Sequence, residues 1–154
     1  MHAADVVEDL PTVRPDHDVL TAVRMVAERH LPGLVVVDDH DQVVGCMSLI
    51  DLLRVALPRY LRDDPNLARV FDEEHADRIA ATLVGTRVGE VMADVADRIP
   101  VARPRATLVE LAELMVQWSC PLVLVKQRDG ATLGVVSADR LLRLLADNAK
   151  EPPE

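Results

Sequence analysis

Ser48 and Asp51 set a hydroxyl and a carboxylate three residues apart at the head of a leucine-rich run, Leu49-Ile50-Asp51-Leu52-Leu53. A carboxylate accepts hydrogen bonds, and a hydroxyl both donates and accepts them. At the start of a helix such a pair caps it: the serine oxygen takes a free backbone N–H and the acid complements the positive helix end. Ser137 opens the same phrase 89 residues later, but Arg140 stands where Asp51 would fall, and Asp139 is displaced by one residue. One residue is about 100° around a helix, and arginine accepts no hydrogen bond, so the second copy has lost the carboxylate. Thr107-Leu108-Val109-Glu110 reads as a further capping box.

The other reactive side chains form no catalytic set. His2, His17, His30, His40 and His75 are paired in sequence with no nucleophile, and no Gly-x-Ser-x-Gly, phosphate-binding loop or dinucleotide fingerprint is present. The chain is therefore read as not an enzyme, with no catalytic residue. Cys46 and Cys120 stand at non-equivalent places without a Cys-x-x-Cys, which favours buried reduced thiols over redox chemistry. Glu73, Glu74, His75 and Asp77 are neighbours in a helical stretch and point in different directions, so they read as a solvated face and no metal site is expected.

The elements that position these residues are written twice. Gly33-Leu34-Val35-Val36-Val37 leads through a polar turn to Val43-Val44-Gly45-Cys46-Met47-Ser48 and a leucine-rich helix, and Leu122-Val123-Leu124-Val125-Lys126 leads through Leu133-Gly134-Val135-Val136-Ser137 to another. Upstream, Val19, Ala22, Val23, Val26 and Ala27 fall on one face of a helix, as do Leu108, Leu111, Ala112, Met115 and Val116 at the same offset of 89. Each copy thus reads helix, strand, strand, helix. Pro15 and Pro104 match ahead of these helices, whereas Asp5-Val6-Val7 and Glu90-Val91-Met92 align only with extra residues in the second copy. The expected organisation is a first repeat over 1–57, a helical connector over 58–85 with Asp64 as N-cap and Gly85 as stop, a second repeat over 86–148, and a frayed tail over 149–154. The fold class is α/β (α+β): two quasi-symmetric repeats, each a small sheet flanked by helices.

Composition narrows the function. Of 154 residues 49% are apolar, enough for a shared core, while the aromatics are limited to Tyr60, Phe71 and Trp118. Few stacking platforms and a net charge of −9 exclude a nucleic-acid binder. The apolar runs are far too short for a membrane span, the opening Met1-His2-Ala3-Ala4-Asp5 is unlike a signal peptide, and the expected location is cytoplasmic.

Two tandem copies, each closing in Gly-hydrophobic-hydrophobic-Ser and a helix, resemble a pair of CBS domains, the arrangement called a Bateman module. The best motif is Gly45-Cys46-Met47-Ser48-Leu49-Ile50-Asp51-Leu52, supported by Glu90-Val91-Met92 and Val13-Arg14-Pro15-Asp16. The resemblance implies half-sheets packed about a quasi-two-fold axis, with two clefts for AMP, ADP, ATP or another adenosyl compound such as S-adenosylmethionine. It makes Ser48 and Asp51 a ribose-binding pair, Gly45 a point of close backbone approach, and the backbone around Thr12-Val13 and Leu34-Val35 an adenine slot. In the second copy Ser137 is retained, and Arg140 leaves the cleft empty or pairs with a phosphate or a partner's carboxylate. Val35 and Leu124 stand where many family members carry proline, which narrows the slot. Arg14, Arg54, Arg59, Arg103, Arg140 and Arg143 are candidate phosphate contacts, each also readable as a surface side chain. The implied function is a stand-alone regulatory module modulating a transporter or an enzyme, as a homodimer paired through Leu52, Leu53, Leu142 and Leu145. The alternative is a ligand-free dimerisation or scaffold module with the acidic connector as its contact surface.

Overall fold

The computed structural model describes residues 1–57, 63–64, 66, 76–77, 80–81, 83–93 and 99–149. The connector readings at Pro58, Arg59, Tyr60, Pro65, Phe71, Glu73, Glu74 and His75, and the tail 150–154, lie outside the described residues. Within the connector, the Asp64 carboxylate accepts the Asn66 amide at 3.1 Å and Gly85 takes a left-handed φ of 82°.

The first repeat contains α1 (Ala3–Val6), β1 (Thr12–Val13), α2 (Val19–Arg29), β2 (Gly33–Val37), β3 (Val43–Ser48) and α3 (Leu49–Ala56). The second contains α4 (Val88–Met92), β4 (Val101–Ala102), α5 (Leu108–Trp118), β5 (Leu122–Lys126), β6 (Thr132–Ser137) and α6 (Ala138–Asn148). Each builds a three-stranded sheet in which the short first strand pairs parallel, and the third antiparallel, to the central one. The registers copy one another: Gly33 faces Ser48 as Leu122 faces Ser137, and each hairpin slips at the same place, Val36/Val37 and Val125/Lys126. Central strands apolar throughout, but for the terminal Lys126 of β5, are what a sheet covered on both faces requires.

Helices α2 and α5 bury Val19, Ala22 and Val26 and, in the second copy, Leu111 and Met115. Ala27 and Val116, the last positions of the expected stripe, are exposed, since eight residues on the stripe has turned out of the face. Both helices end on a left-handed residue, His30 (φ 52°) and Ser119 (φ 48°), which reverses the chain into the central strand.

The two repeats exchange their entry helices. Ala3 and Val6 of α1 lie in the apolar cluster of the second sheet with Ala102, Leu111 and Val136. Val88 of α4 lies in that of the first sheet with Val13, Val36 and Met47. Backbone hydrogen bonds hold each crossing: Ala3 and Ala4 donate to the carbonyls of Ala106 and Pro104, and Val88 and Gly89 to those of His17 and Pro15. A third cluster, with Val35, Val37, Cys46, Ile99, Cys120, Leu122, Leu124 and Val135, joins the sheets. Gly33 and its counterpart Leu122 meet at this joint: a β-carbon on Gly33 would strike the Met47 carbonyl and come within 2.8 Å of a Leu122 methyl. No helix of the described residues is long and apolar enough to cross a membrane.

Candidate functional site

At the end of β3 the chain turns into α3 with Ser48 as N-cap and Asp51 at the third helical position. The Asp51 Oδ2 accepts from the Ser48 N–H at 2.9 Å and from its hydroxyl at 3.0 Å, while Ser48 Oγ accepts from the Asp51 N–H at 3.3 Å. Both side chains are buried, each 4% exposed. The capping chemistry therefore occupies one carboxylate oxygen. The other, Oδ1, lies 4.0 Å from Nη1 of half-exposed Arg54. Together with Ile50 these residues line one side of a cavity of about 180 Å³. The far wall is Trp118, Ser119 and Cys120, the segment joining α5 to β5 in the other repeat. The cleft thus presents an acceptor oxygen, a guanidinium and an aromatic rim, drawn from both repeats.

The remaining expected residues lie elsewhere. Val13 is buried in the first sheet's core. Thr12 and Val35 line a different cavity, of about 310 Å³, with Glu8, Asp41 and Gly134, and neither reaches the Asp51 cleft. Gly45 accommodates protein: a β-carbon there would lie 2.9 Å from the Met92 methyl, just as one on Gly134 would lie 3.0 Å from Val7.

Ser137 and Arg140 carry an arrangement that sequence reasoning missed. Helices α1, α3, α4 and α5 each have an acid at the third position, Asp5, Asp51, Glu90 and Glu110, whose carboxylate accepts from the backbone N–H of the residue that caps the helix. Helix α6 has Arg140 there, and Ser137 Oγ accepts only from the Arg140 N–H at 3.2 Å. The carboxylate comes instead from Glu8, whose Oε2 accepts the Ser137 N–H at 2.7 Å. Glu8 is held in place by its own N–H, which donates to the Val135 carbonyl at 2.8 Å. The partners are 129 residues apart, so no local spacing rule could have linked them.

Of the arginines proposed for phosphate, Arg14 is tied to the β2–β3 turn through the Asp38 carbonyl and Asp41, and Arg103 donates to the Gln127 carbonyl. Arg143 pairs with Asp139 at 3.0 Å, and Arg140 is exposed. Arg54 is the arginine that lines the Asp51 cleft. Burial pushes the Cys46 thiol far above its ordinary range, and Cys120 likewise rises through burial. Neither is a ready thiolate. Among the described residues no group of His, Cys, Asp and Glu is placed to hold a metal ion.

The CBS domain family pattern matches residues 3–58 and 88–147. The chain is 26% identical over 139 residues to the CBS domain-containing protein CBSX2, chloroplastic, of Arabidopsis thaliana; the match covers 88% of this chain and 58% of the relative, so the chain spans little more than half of that protein. Among solved structures it is 36% identical to a CBS domain-containing protein of unknown function from Kribbella flavida, with a TM-score of 0.67 over 95% of this chain and 99% of that one. It is 25% identical to CBSX2 in complex with AMP, with a TM-score of 0.67 over 97% and 98% of the two chains.

Proposed function

The chain belongs to the CBS domain family, and from that premise we propose that it is a non-catalytic regulatory module whose Asp51 cleft takes an adenosine-containing ligand, AMP, ADP, ATP or S-adenosylmethionine. One observation carries the reading: Asp51 spends Oδ2 on its cap, sets Oδ1 beside Arg54, and with that arginine lines a cavity shared by the two repeats. An acceptor in that position suits a ribose diol, and Arg54 beside it suits the phosphates. The likeness to CBSX2, solved with AMP, supports the ligand class.

Because the cavity walls come from both repeats, a ligand bridging them favours one packing of the pair over another. That difference in affinity between packings is what a partner protein, a transporter or an enzyme, would read. Leu53, Leu142 and Leu145, at 60%, 66% and 48% exposure, are the face we assign to a homodimer, whereas Leu52 belongs to the core. At the second motif the scaffold reading is the better one, since Arg140 stands in place of Asp51 and offers no acceptor. We assign one ligand per chain.

The test is titration calorimetry and thermal unfolding with AMP, ADP, ATP and S-adenosylmethionine, on wild type and Asp51→Ala. A ligand at 100 times its Kd adds about 2.7 kcal/mol to stability. A stabilisation present in the wild type and lost in Asp51→Ala is expected. Absence of heat and of any melting shift with all four ligands would overturn the ligand reading and leave the scaffold.

A further inference from the structure

Resting on that reading of the cleft, we propose that Trp118 is a ligand-contacting residue, offering its indole face to the planar base of a nucleotide whose sugar and phosphate lie against Asp51 and Arg54. Trp118 is the one tryptophan of the chain and belongs to the second repeat, while Asp51 and Arg54 belong to the first. Its side chain lines their cavity yet is 46% exposed. An indole is among the largest apolar surfaces a protein carries, and here it is left about half exposed among the described residues.

Size and geometry both point to the rim. A cavity of about 180 Å³ is small for a whole nucleotide, and with the sugar and phosphate against Asp51 and Arg54 the base is left to the Trp118 side. Trp118 is the last residue of α5, and the turn behind it is fixed: Ser119 sits at φ 48°, its N–H bonded to the Val116 carbonyl, with the Cys120 N–H bonded to that of Met115 at 3.0 Å. A backbone so anchored fixes the base of the Trp118 side chain at the cavity and limits the ordering cost when a flat ring stacks on it. Stacking of this kind tolerates any base, so Trp118 adds affinity and joins the repeats, while the choice among bases is made elsewhere.

Because the chain has a single indole, its fluorescence reports on this contact alone. AMP and ATP are titrated into the full chain with emission excited beyond tyrosine absorption, in parallel with calorimetry, on wild type, Trp118→Phe, Trp118→Leu and Asp51→Ala. The expected result is a saturable change in emission with the calorimetric Kd, weakening on the order of 10-fold in Trp118→Leu, and recovery of most of that affinity in Trp118→Phe. Asp51-dependent heat with unchanged emission and unchanged affinity in Trp118→Leu overturns the Trp118 contact and leaves the cleft reading standing. Loss of dimer mass in Trp118→Leu at unchanged affinity also overturns it, assigning the indole to a second copy. Absence of heat for both nucleotides in the wild type overturns this proposal, and the cleft reading falls with it where ADP and S-adenosylmethionine are silent as well.

Discussion

Two roles meet on the Asp51 carboxylate, and its two oxygens separate them. Oδ2 belongs to the helix cap with Ser48, and Oδ1, beside Arg54, is the oxygen we assign to the ligand. Ser48→Ala removes the acceptor for the Asp51 N–H but leaves the carboxylate bonded to the residue 48 amide. It should cost about 1 kcal/mol of stability and change nucleotide affinity little. Asp51→Ala should cost a similar or larger amount, about 1–2 kcal/mol, and abolish binding. Urea denaturation and calorimetry on the same two variants check this; equal losses of affinity would mean that the cap, and not Oδ1, shapes the site. The pair was legible in the sequence because Ser-x-x-Asp is a local spacing. Trp118 was not: its cavity forms only when α5 of one repeat meets α3 of the other, and a lone aromatic at a helix end carries no signal of what it faces.

At the scale of elements, the helices of this chain are started by acids, and their effect follows pH. The Glu110 carboxylate accepts from the Thr107 N–H at 2.6 Å, and Thr107 Oγ1 accepts from the Glu110 N–H in return. The Thr107 N–H first, and the Thr107 hydroxyl after it, hold the Glu110 carboxyl below its ordinary value of 4.5. A depressed carboxyl contributes stability above its unfolded value and loses it as pH falls through the folded one. Glu110→Gln should therefore lie below wild type in denaturant midpoint at neutral pH, with the gap closing as pH drops beneath 4.5. A gap constant across that range would mean the glutamate packs and does not cap. Helix and strand identities were readable because periods of 3.6 and continuous apolar runs are local, as at Val19-Ala22-Val26 and Gly33 to Val37. The exchange of α1 and α4 was not, because short helices declare a partner only by packing. The slipped alignment of Asp5-Val6-Val7 with Glu90-Val91-Met92 was its one trace.

For the whole molecule, duplication supplies two equivalent motifs and Glu8 makes them unequal. In the first, Asp51 serves its own helix from within the helix; in the second, a carboxylate from the opposite end of the chain serves α6 and ties the N-terminal segment to β6. Arg140 and Glu8 are complementary departures, since an arginine at the third helical position leaves the Ser137 amide free for an outside acceptor. Restoring a carboxylate by Arg140→Asp alone sets it in competition with Glu8 for one N–H. Arg140→Asp combined with Glu8→Ala removes the competitor and rebuilds the Ser-x-x-Asp geometry of the first repeat. Calorimetric stoichiometry should read one nucleotide per chain in wild type and in Glu8→Ala, and approach two in the double variant. A stoichiometry of two in the wild type would show that Glu8 does not close the second motif; a value of one in the double variant would show that more than a carboxylate separates the repeats, with the close approach of half-buried Val7 to Gly134 the next place to look.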